Sequence, residues 1–288
     1  MAKLQSSDSI NRLITQALAI EAEAAQDAGA LGFMARAMTQ ATLPHRKVDG
    51  AYFQRVNGNY TLTLLAPPDI GLPYGSIPRL LLAWLTTEAI QTKSRELELG
   101  DSMSAFMREL GLVPTGGRWG SITRLKDQTN RLFCSTVSAS YKDAKKRAEM
   151  GYRVADHSIL WWDAKSPEQT SLWKSTVTLS EHFYREIVDH PIPVDMRALK
   201  ALKQSPLALD IYTWLTYRMS YLDKSTTIPW EGLAMQFGSN YADIKNFKAH
   251  FNKELKKVLA LYPEADAMPT DRGLALKPSL THVKPKQP

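Results

Sequence analysis

Apolar residues recur with helical spacing near the start of the chain. Over residues 8–20 they fall at positions i, i+3, i+4, i+7 and i+8, and a serine or aspartate at 6–8 is available as a helix cap. These apolar residues are Ile10, Leu13, Ile14, Ala17 and Leu18. An alanine-rich stretch follows, and the pattern fades near Pro44. The sequence therefore predicts an N-terminal helical arm over residues 1–44.

A different pattern, typical of strands, marks the next segment. Residues 51–56 and 59–65 contain tyrosine, phenylalanine, valine and leucine, and Asn57-Gly58 separates the two runs. An Asn-Gly pair provides the positive φ angles of a tight hairpin turn. We predict a β-hairpin over residues 51–65.

Apolar periodicity then predicts helices followed by a β-ribbon. The predicted elements are a helix from Pro78, a short strand at 96–99, helices at 102–110 and 119–133, and strand-like runs at 132–141 and 152–162. Helix, helix, turn, helix and ribbon is the order of a winged helix-turn-helix. The pattern predicts a first winged-helix module over residues 45–170.

The same order recurs in the last third of the chain. The predicted elements are helices at 180–188, 195–203, 205–219, 228–237 and 241–261, then a ribbon that pairs 265–268 with 273–277. We predict a second winged-helix module over residues 171–288, with a basic C-terminal tail. The fold class is thus mainly α with small β-ribbons (α+β): two tandem winged-helix modules and an N-terminal helical arm.

Basic residues cluster on particular predicted elements. The formal net charge is +7, which is common among soluble proteins, so the position of the charge is more informative than its sum. A helix in the major groove of DNA needs an apolar stripe and a polar stripe that reads bases and phosphates. In the first module we assign this polar stripe to the helix at 119–133, with Arg118 at its N-terminus, where a phosphate is favoured. The stripe is Ser121, Arg124, Gln128 and Arg131.

Two further elements supply candidate DNA contacts. The predicted ribbon tip of the first module carries Lys142, Lys145, Lys146 and Arg147. The long helix of the second module has a core stripe and an opposite face with Lys245, Lys248, Asn252, Lys253 and Lys256. We expect lysine to contact phosphate, and Arg124, Gln128 and Asn252 to read bases. The alternative for each stripe is a solvated face.

The residues that enzymes require are absent or badly spaced. The glycine-rich segment 116–120 lacks the lysine of a phosphate-binding loop, and no two of the 6 histidines lie one residue apart as metal-dependent nicking would need. The single cysteine, Cys134, excludes an internal disulfide and a multi-cysteine metal site. We expect no enzymatic activity, no catalytic residue, no cofactor and no metal. A primase-like polymerase that uses Glu264, Asp266 and Asp271 remains an alternative.

Apolar runs are all far shorter than the ~20 residues that span a bilayer. The N-terminus has Lys3 but then polar residues, so it lacks the apolar region of a signal peptide. We therefore expect a cytoplasmic protein without a membrane partner.

Several long and unusual strings resemble the plasmid-encoded RepA replication initiator family, from about Leu43 to Val283. The strings are Leu43-Pro44-His45-Arg46-Lys47, the fourteen residues 71–84, Gly120-Ser121-Ile122-Thr123-Arg124-Leu125, residues 205–212, Pro229-Trp230 and Gln236-Phe237-Gly238-Ser239. The resemblance implies an initiator that binds direct repeats of double-stranded origin DNA and helps to open a neighbouring AT-rich stretch. It also implies recruitment of the host initiator and the replicative helicase.

Similar initiators bind origin repeats as monomers, whereas their homodimers repress their own gene. The contact residues given above rest on the pattern of residues and not on the resemblance. A plasmid or phage transcriptional regulator with the same two modules and no role in strand opening is the main alternative.

Overall fold

A computed structural model of the chain describes the backbone of residues 2–143, 145, 147–160, 175–238 and 243–284, with side chains from residue 12 onward. Helices and antiparallel strands alternate along it, which confirms the α+β class. Among the helices of this part of the chain, none combines the length and the apolar character needed to cross a bilayer.

Ten helices and twelve strands are defined in the described segments. The helices are α1 (Ala2–Ala22), α2 (Arg36–Gln40), α3 (Ser76–Thr92), α4 (Met103–Glu109), α5 (Ser121–Cys134), α6 (Glu181–Asp189), α7 (Met196–Leu202), α8 (Pro206–Met219), α9 (Trp230–Phe237) and α10 (Ile244–Leu261). The strands are β1 (Leu31–Ala35), β2 (Tyr52–Asn57), β3 (Tyr60–Leu65), β4 (Glu96–Glu98), β5 (Thr136–Lys142), β6 (Arg147–Arg153), β7 (Ala155–Ile159), β8 (Thr176–Leu179), β9 (Pro191–Asp195), β10 (Thr226–Pro229), β11 (Ala267–Pro269) and β12 (Gly273–Leu276).

The chain divides into two compact units. Residues 33–191 form one, which we call the central unit. Residues 1–32 and 192–288 form the other, which we call the terminal unit. The predicted arm of residues 1–44 is divided between the two units, with residues 1–32 in the terminal unit and the rest in the central unit. The limits of the winged-helix modules themselves stay predictions.

Two sheets lie in the central unit. The larger is antiparallel with the order β2-β3-β5-β6, so the predicted hairpin at 51–65 is confirmed and also pairs with the basic ribbon. The smaller sheet has the order β4-β8-β7. The single strand predicted at 152–162 is wrong over its described part, because the chain leaves the larger sheet at Arg153 and enters the smaller one at Ala155. Residues 161 and 162 lie outside the described residues.

Buried residues of α3 connect two of the distinctive strings. The helix is buried on almost every side from Pro78 to Thr86, as its continuous apolar run predicts. Arg79 is 4% exposed, and its guanidinium donates to the backbone oxygens of Leu43 at 2.8 Å and Gly75 at 2.6 Å. The strings that begin at Leu43 and Gly71 therefore meet at one buried charged side chain.

An aromatic cluster forms the core of the terminal unit. Trp214 of α8, Phe237 of α9 and Phe251 of α10 are buried, with ring centroids 5.3 Å apart for Trp214–Phe237 and 5.7 Å for Phe237–Phe251. Helix α1 packs against α7 and α10. Near the C-terminal end of α1, the backbone oxygens of Ala19 and Glu23 accept hydrogen bonds from the Arg197 guanidinium. The predicted helix at 8–20 is confirmed and is part of this unit.

The sheet of the terminal unit has three strands in the order β10-β12-β11. The ribbon β11–β12 is confirmed. The helix predicted at 228–237 begins only at Trp230, because Ile228 and Pro229 lie in β10 and pair with Leu274 and Gly273. Helix α10 begins at Ile244 behind Asp243, whose carboxylate accepts the backbone N–H of Asn246 at 2.7 Å.

The same order of elements occurs once in each unit. In the central unit it is α3, β4, α4, α5, β7 and β8, and in the terminal unit it is α8, β10, α9, α10, β11 and β12. In the sheets β4-β8-β7 and β10-β12-β11, the strand that comes last in the chain is central and pairs with the other two. Within this order, the hairpin that follows the third helix of the central unit is β7–β8. The basic hairpin β5–β6 is an insertion that belongs to the other sheet.

Candidate nucleic-acid interface

A tightly bonded turn precedes α5. The Ser121 hydroxyl accepts the backbone N–H of Thr115 at 2.9 Å and donates to the backbone oxygen of Val113 at 2.6 Å. In return, the Thr115 hydroxyl accepts the backbone N–H of Ser121 at 2.9 Å. These bonds fix both ends of the segment, and the helix starts from a defined position.

Two residues of the predicted polar stripe lie inside the protein. Ser121 is 7% exposed and belongs to the turn, while Gln128 is 4% exposed and bonded to the backbone N–H of Tyr74. We therefore remove both from the candidate interface. The sequence contains the signal for this placement: Gln128 is three residues after Leu125 and four before Leu132, so helical periodicity places it on the apolar side.

Arg131 is largely committed to structure as well. Its Nε donates to Asp127 at 2.8 Å, and its guanidinium lies 5.7 Å from the centre of the Tyr74 ring. Its side chain is 15% exposed. Its predicted DNA contact is therefore revised to a link between α5 and the segment that precedes α3.

The outward face of α5 is narrower than predicted and is shifted around the helix. Arg118 and Arg124 are exposed, and neither forms an ion pair with any residue that the structure describes. Thr123 and Asn130 are also exposed and were not selected from the sequence. Trp119, which precedes this helix, is 80% exposed, and the Arg118 guanidinium lies 5.1 Å from its ring centre. Arg118 and Arg124 thus remain candidate contacts.

The basic hairpin tip lies at the end of the larger sheet. Lys142 and Arg147 are exposed partners in the β5–β6 register, and Lys145 is exposed between them. Lys146 lies outside the described residues. Arg147 Nε donates to Glu149 at 2.9 Å, so part of its charge is compensated.

Helix α10 presents lysines on its outer face. Phe247, Phe251, Leu255 and Val258 are buried, which confirms those members of the core stripe, although Ile244 is 37% exposed. Lys245, Lys253 and Lys256 are exposed and form no ion pair within the described segments.

Lys248 and Asn252 are less available than predicted. Lys248 is half-buried, with its Nζ 5.5 Å from the centre of the Trp230 ring. Asn252 is half-buried, and its side-chain oxygen is buried without a hydrogen-bond partner among the described residues. Glu254 is buried and accepts hydrogen bonds from Lys257 at 2.8 and 2.9 Å. Nothing in the sequence indicated this burial.

The acidic residues of the primase-like alternative do not form a metal site. Glu264, Asp266 and Asp271 are all described, and no group of three or more His, Cys, Asp or Glu in the described chain is arranged to hold a metal ion. Asp266 instead pairs with Lys277 at 3.1 Å.

A model of the plasmid-encoded RepA protein family matches residues 72–232, more than half of the chain. The chain belongs to this family. It is therefore a plasmid replication initiator, as the resemblance of its sequence implied. The matched region contains α5 and the basic hairpin tip, and it ends before α10.

Two crystal structures of RctB domains 2 and 3 are similar to this chain over most of its length. One has a TM-score of 0.55 and 12% sequence identity, and covers 83% of this chain and 95% of the RctB chain. The other has a TM-score of 0.51 and 10% identity, and covers 83% and 96%. At this identity the likeness establishes the fold. A search of curated protein sequences found no match.

Proposed function

We propose that this protein initiates plasmid replication by binding repeated double-stranded origin DNA through two winged-helix modules, one in each unit. The single observation that carries the proposal is the recurrence of one element order. Each copy places an exposed basic helix, α5 or α10, third among its helices. The third helix is the one that enters the major groove in helix-turn-helix proteins.

The pairing of the strands supports the winged-helix assignment. A strand between the first two helices, β4 or β10, pairs with the last strand of the unit. This arrangement places an antiparallel hairpin after each third helix: β11–β12 follows α10, and β7–β8 follows α5 after the inserted pair β5–β6. We assign these hairpins as the wings, in place of the β5–β6 ribbon selected from the sequence. The tip of β5–β6 remains a separate proposed backbone contact.

Uncompensated charge supports contact with DNA. Arg118, Arg124, Lys245, Lys253 and Lys256 are exposed and unpaired among the described residues. A charge without a protein partner on an exposed helix is available to neutralise phosphate, and each neutralised phosphate releases counterions. In contrast, Arg185 on α6, outside the recurring order, pairs with Glu181 at 2.7 Å.

The remaining steps of the proposed function are inferred from membership of the RepA family. We propose that binding helps to open an adjacent AT-rich stretch and that the protein recruits the host initiator and replicative helicase in the cytoplasm. We further propose that a homodimer represses the protein's own promoter. We assign the protein a binding role without catalysis.

Footprinting on the parent plasmid tests the proposal. We expect protected, regularly spaced repeats at the origin, and a plot of log K against log salt steeper than about −3, since each phosphate contributes about −0.9. Neutralising Lys142, Lys145 and Arg147 should shorten the footprint at one edge of each repeat. Protection of promoter sequence alone would favour the transcriptional regulator, and a slope shallower than about −3 would contradict contact by both modules.

A further inference from the structure

Trp119 is exposed in a way that the other described tryptophans are not. It is 80% exposed, whereas Trp84, Trp214 and Trp230 are 8%, 4% and 2% exposed. A large aromatic side chain in water gains free energy when another apolar group covers it. The indole of Trp119 is therefore not part of the core, and its apolar surface is open to contact.

The turn that carries Trp119 is fixed in conformation. Bonds between Thr115 and Ser121 close it, and the backbone N–H of Gly120 donates to the Gly117 oxygen at 3.1 Å. Because Gly120 packs directly on the backbone of Thr115 and Gly116, a side chain is excluded there. The indole is held outward on a pre-organised backbone, which lowers the entropy that a binding partner must remove.

Positive charge lies beside the exposed indole. The Arg118 guanidinium lies 5.1 Å from its ring centre, and Arg124 is exposed on the first turns of α5. Neither arginine forms an ion pair with a described residue. An apolar surface beside a cation fits a ligand that combines an apolar group with nearby negative charge, which is the character of a DNA groove.

The position of Trp119 before α5 indicates which chemical group in a DNA groove it would contact. It lies two residues before α5, and the N-terminal residues of a recognition helix contact base edges in the major groove. The C5 methyl of thymine is the apolar group that bases present there. We propose that Trp119 is a specificity-determining residue that packs its indole against the methyl group of a thymine in the origin repeat. This inference rests on the proposed function and adds the identity of one base contact.

Removal of single methyl groups from the DNA tests the proposal. The probe is a duplex of the footprinted repeat in which each thymine in turn is replaced by deoxyuridine, which keeps base pairing and removes only the methyl. For the unmodified protein we expect an affinity loss of about fourfold at one position, the change that corresponds to about 0.8 kcal/mol for a buried methyl-sized group. Trp119→Ala should bind both duplexes equally at that position.

A matched variant separates this contact from general effects of the turn. Val113 is 71% exposed on the same turn, so Val113→Ala should keep the sensitivity to deoxyuridine. Equal affinity of the unmodified protein for every duplex would overturn the proposal, as would undiminished sensitivity in Trp119→Ala. If Trp119→Ala lost affinity only for single-stranded DNA, the proposal would be wrong, and Trp119 would be assigned to base stacking. A protein that fails to prefer the repeat over scrambled duplex would overturn the proposed function itself.

Discussion

The side-chain oxygen of Gln128 accepts a hydrogen bond from the backbone N–H of Tyr74 at 2.8 Å. The amide nitrogen of the same side chain donates to Asp127 at 3.0 Å. Gln128 thereby satisfies a backbone donor in the segment that leads into α3 and joins that segment to α5. A residue whose sequence context suggested base recognition thus has a role in holding the candidate DNA-binding helix in place.

Replacement of Gln128 by alanine should therefore reduce stability. The substitution leaves the part-buried Tyr74 N–H without its partner, and this should cost about 1 kcal/mol, the lower end of the range for unsatisfied buried donors. We expect the free energy of unfolding, measured by chemical denaturation, to fall by that amount. Asn130→Ala is the control, since Asn130 is exposed on the same helix. A loss of sequence preference at unchanged stability would return Gln128 to the interface.

Arg124→Ala should lower the affinity for the repeat more than the affinity for scrambled DNA. Arginine reads guanine with two hydrogen bonds, and one such contact contributes about 1–3 kcal/mol of discrimination. Competition binding at fixed salt measures the difference. Arg185→Ala is matched in residue type and exposure on α6 and should leave both affinities unchanged. Equal losses for both DNAs would assign Arg124 to phosphate.

Neutralising Lys245, Lys253 and Lys256 to glutamine should flatten the salt dependence of binding. Each phosphate contact removed changes the slope by about 0.9, so three contacts correspond to about 2.7. Lys277→Gln is the control, because the charge of Lys277 is already compensated by Asp266. The slope comes from binding isotherms at several salt concentrations. An unchanged slope would place the lysines of α10 in solvent.

Gly120→Ala should disrupt the start of α5. An added Cβ would lie 2.2 Å from the Thr115 oxygen and 2.3 Å from the Gly116 oxygen, so the backbone must shift. We expect a loss of about 1–3 kcal/mol in the free energy of unfolding, as for other overpacked sites, with weaker DNA binding. Gly116→Ala is the control, because its Cβ would meet nothing within 4 Å. A fully stable Gly120→Ala would show that the turn is not rigid.

Stability should fall as the pH drops below about 6.5, in part through His282. Burial lowers the pKa of its imidazole, although Asp195 and Glu264 oppose the shift, and its Nδ1 lies 2.7 Å from the Tyr212 hydroxyl. The unfolded state then binds the proton more readily than the folded state does. The resulting loss begins near the unfolded pKa of about 6.5 and continues down to the lowered folded pKa.

Denaturation at pH 7.5 and at pH 5.5 tests this. We expect His282→Gln to be less stable at the higher pH and to lose less stability on acidification than the unmodified protein. His157→Gln changes an exposed histidine and should keep the full pH dependence. An identical pH dependence in His282→Gln would assign the acid sensitivity to other groups.

The sequence by itself determined the elements whose signals are local. Apolar periodicity located α3, α5, α8 and α10, and Asn57-Gly58 located the β2–β3 hairpin. These features depend on residues a few positions apart, so a single stretch of chain contains the information. The string beginning at Gly71 likewise indicated the family, because its unusual run of residues is contiguous in the chain.

Only the tertiary structure decided which residues meet across long stretches of chain. Strand β10 is four residues long and forms because Thr226 pairs with Leu276, fifty residues away. The burial of Gln128 likewise depends on Tyr74, in a segment fifty-four residues earlier. The outward face of α5 follows from what packs against it, and a polar side chain turns inward when a distant backbone donor is there to bond it. Local patterns specify helices and turns, whereas the surface left for DNA depends on the packing of the whole unit.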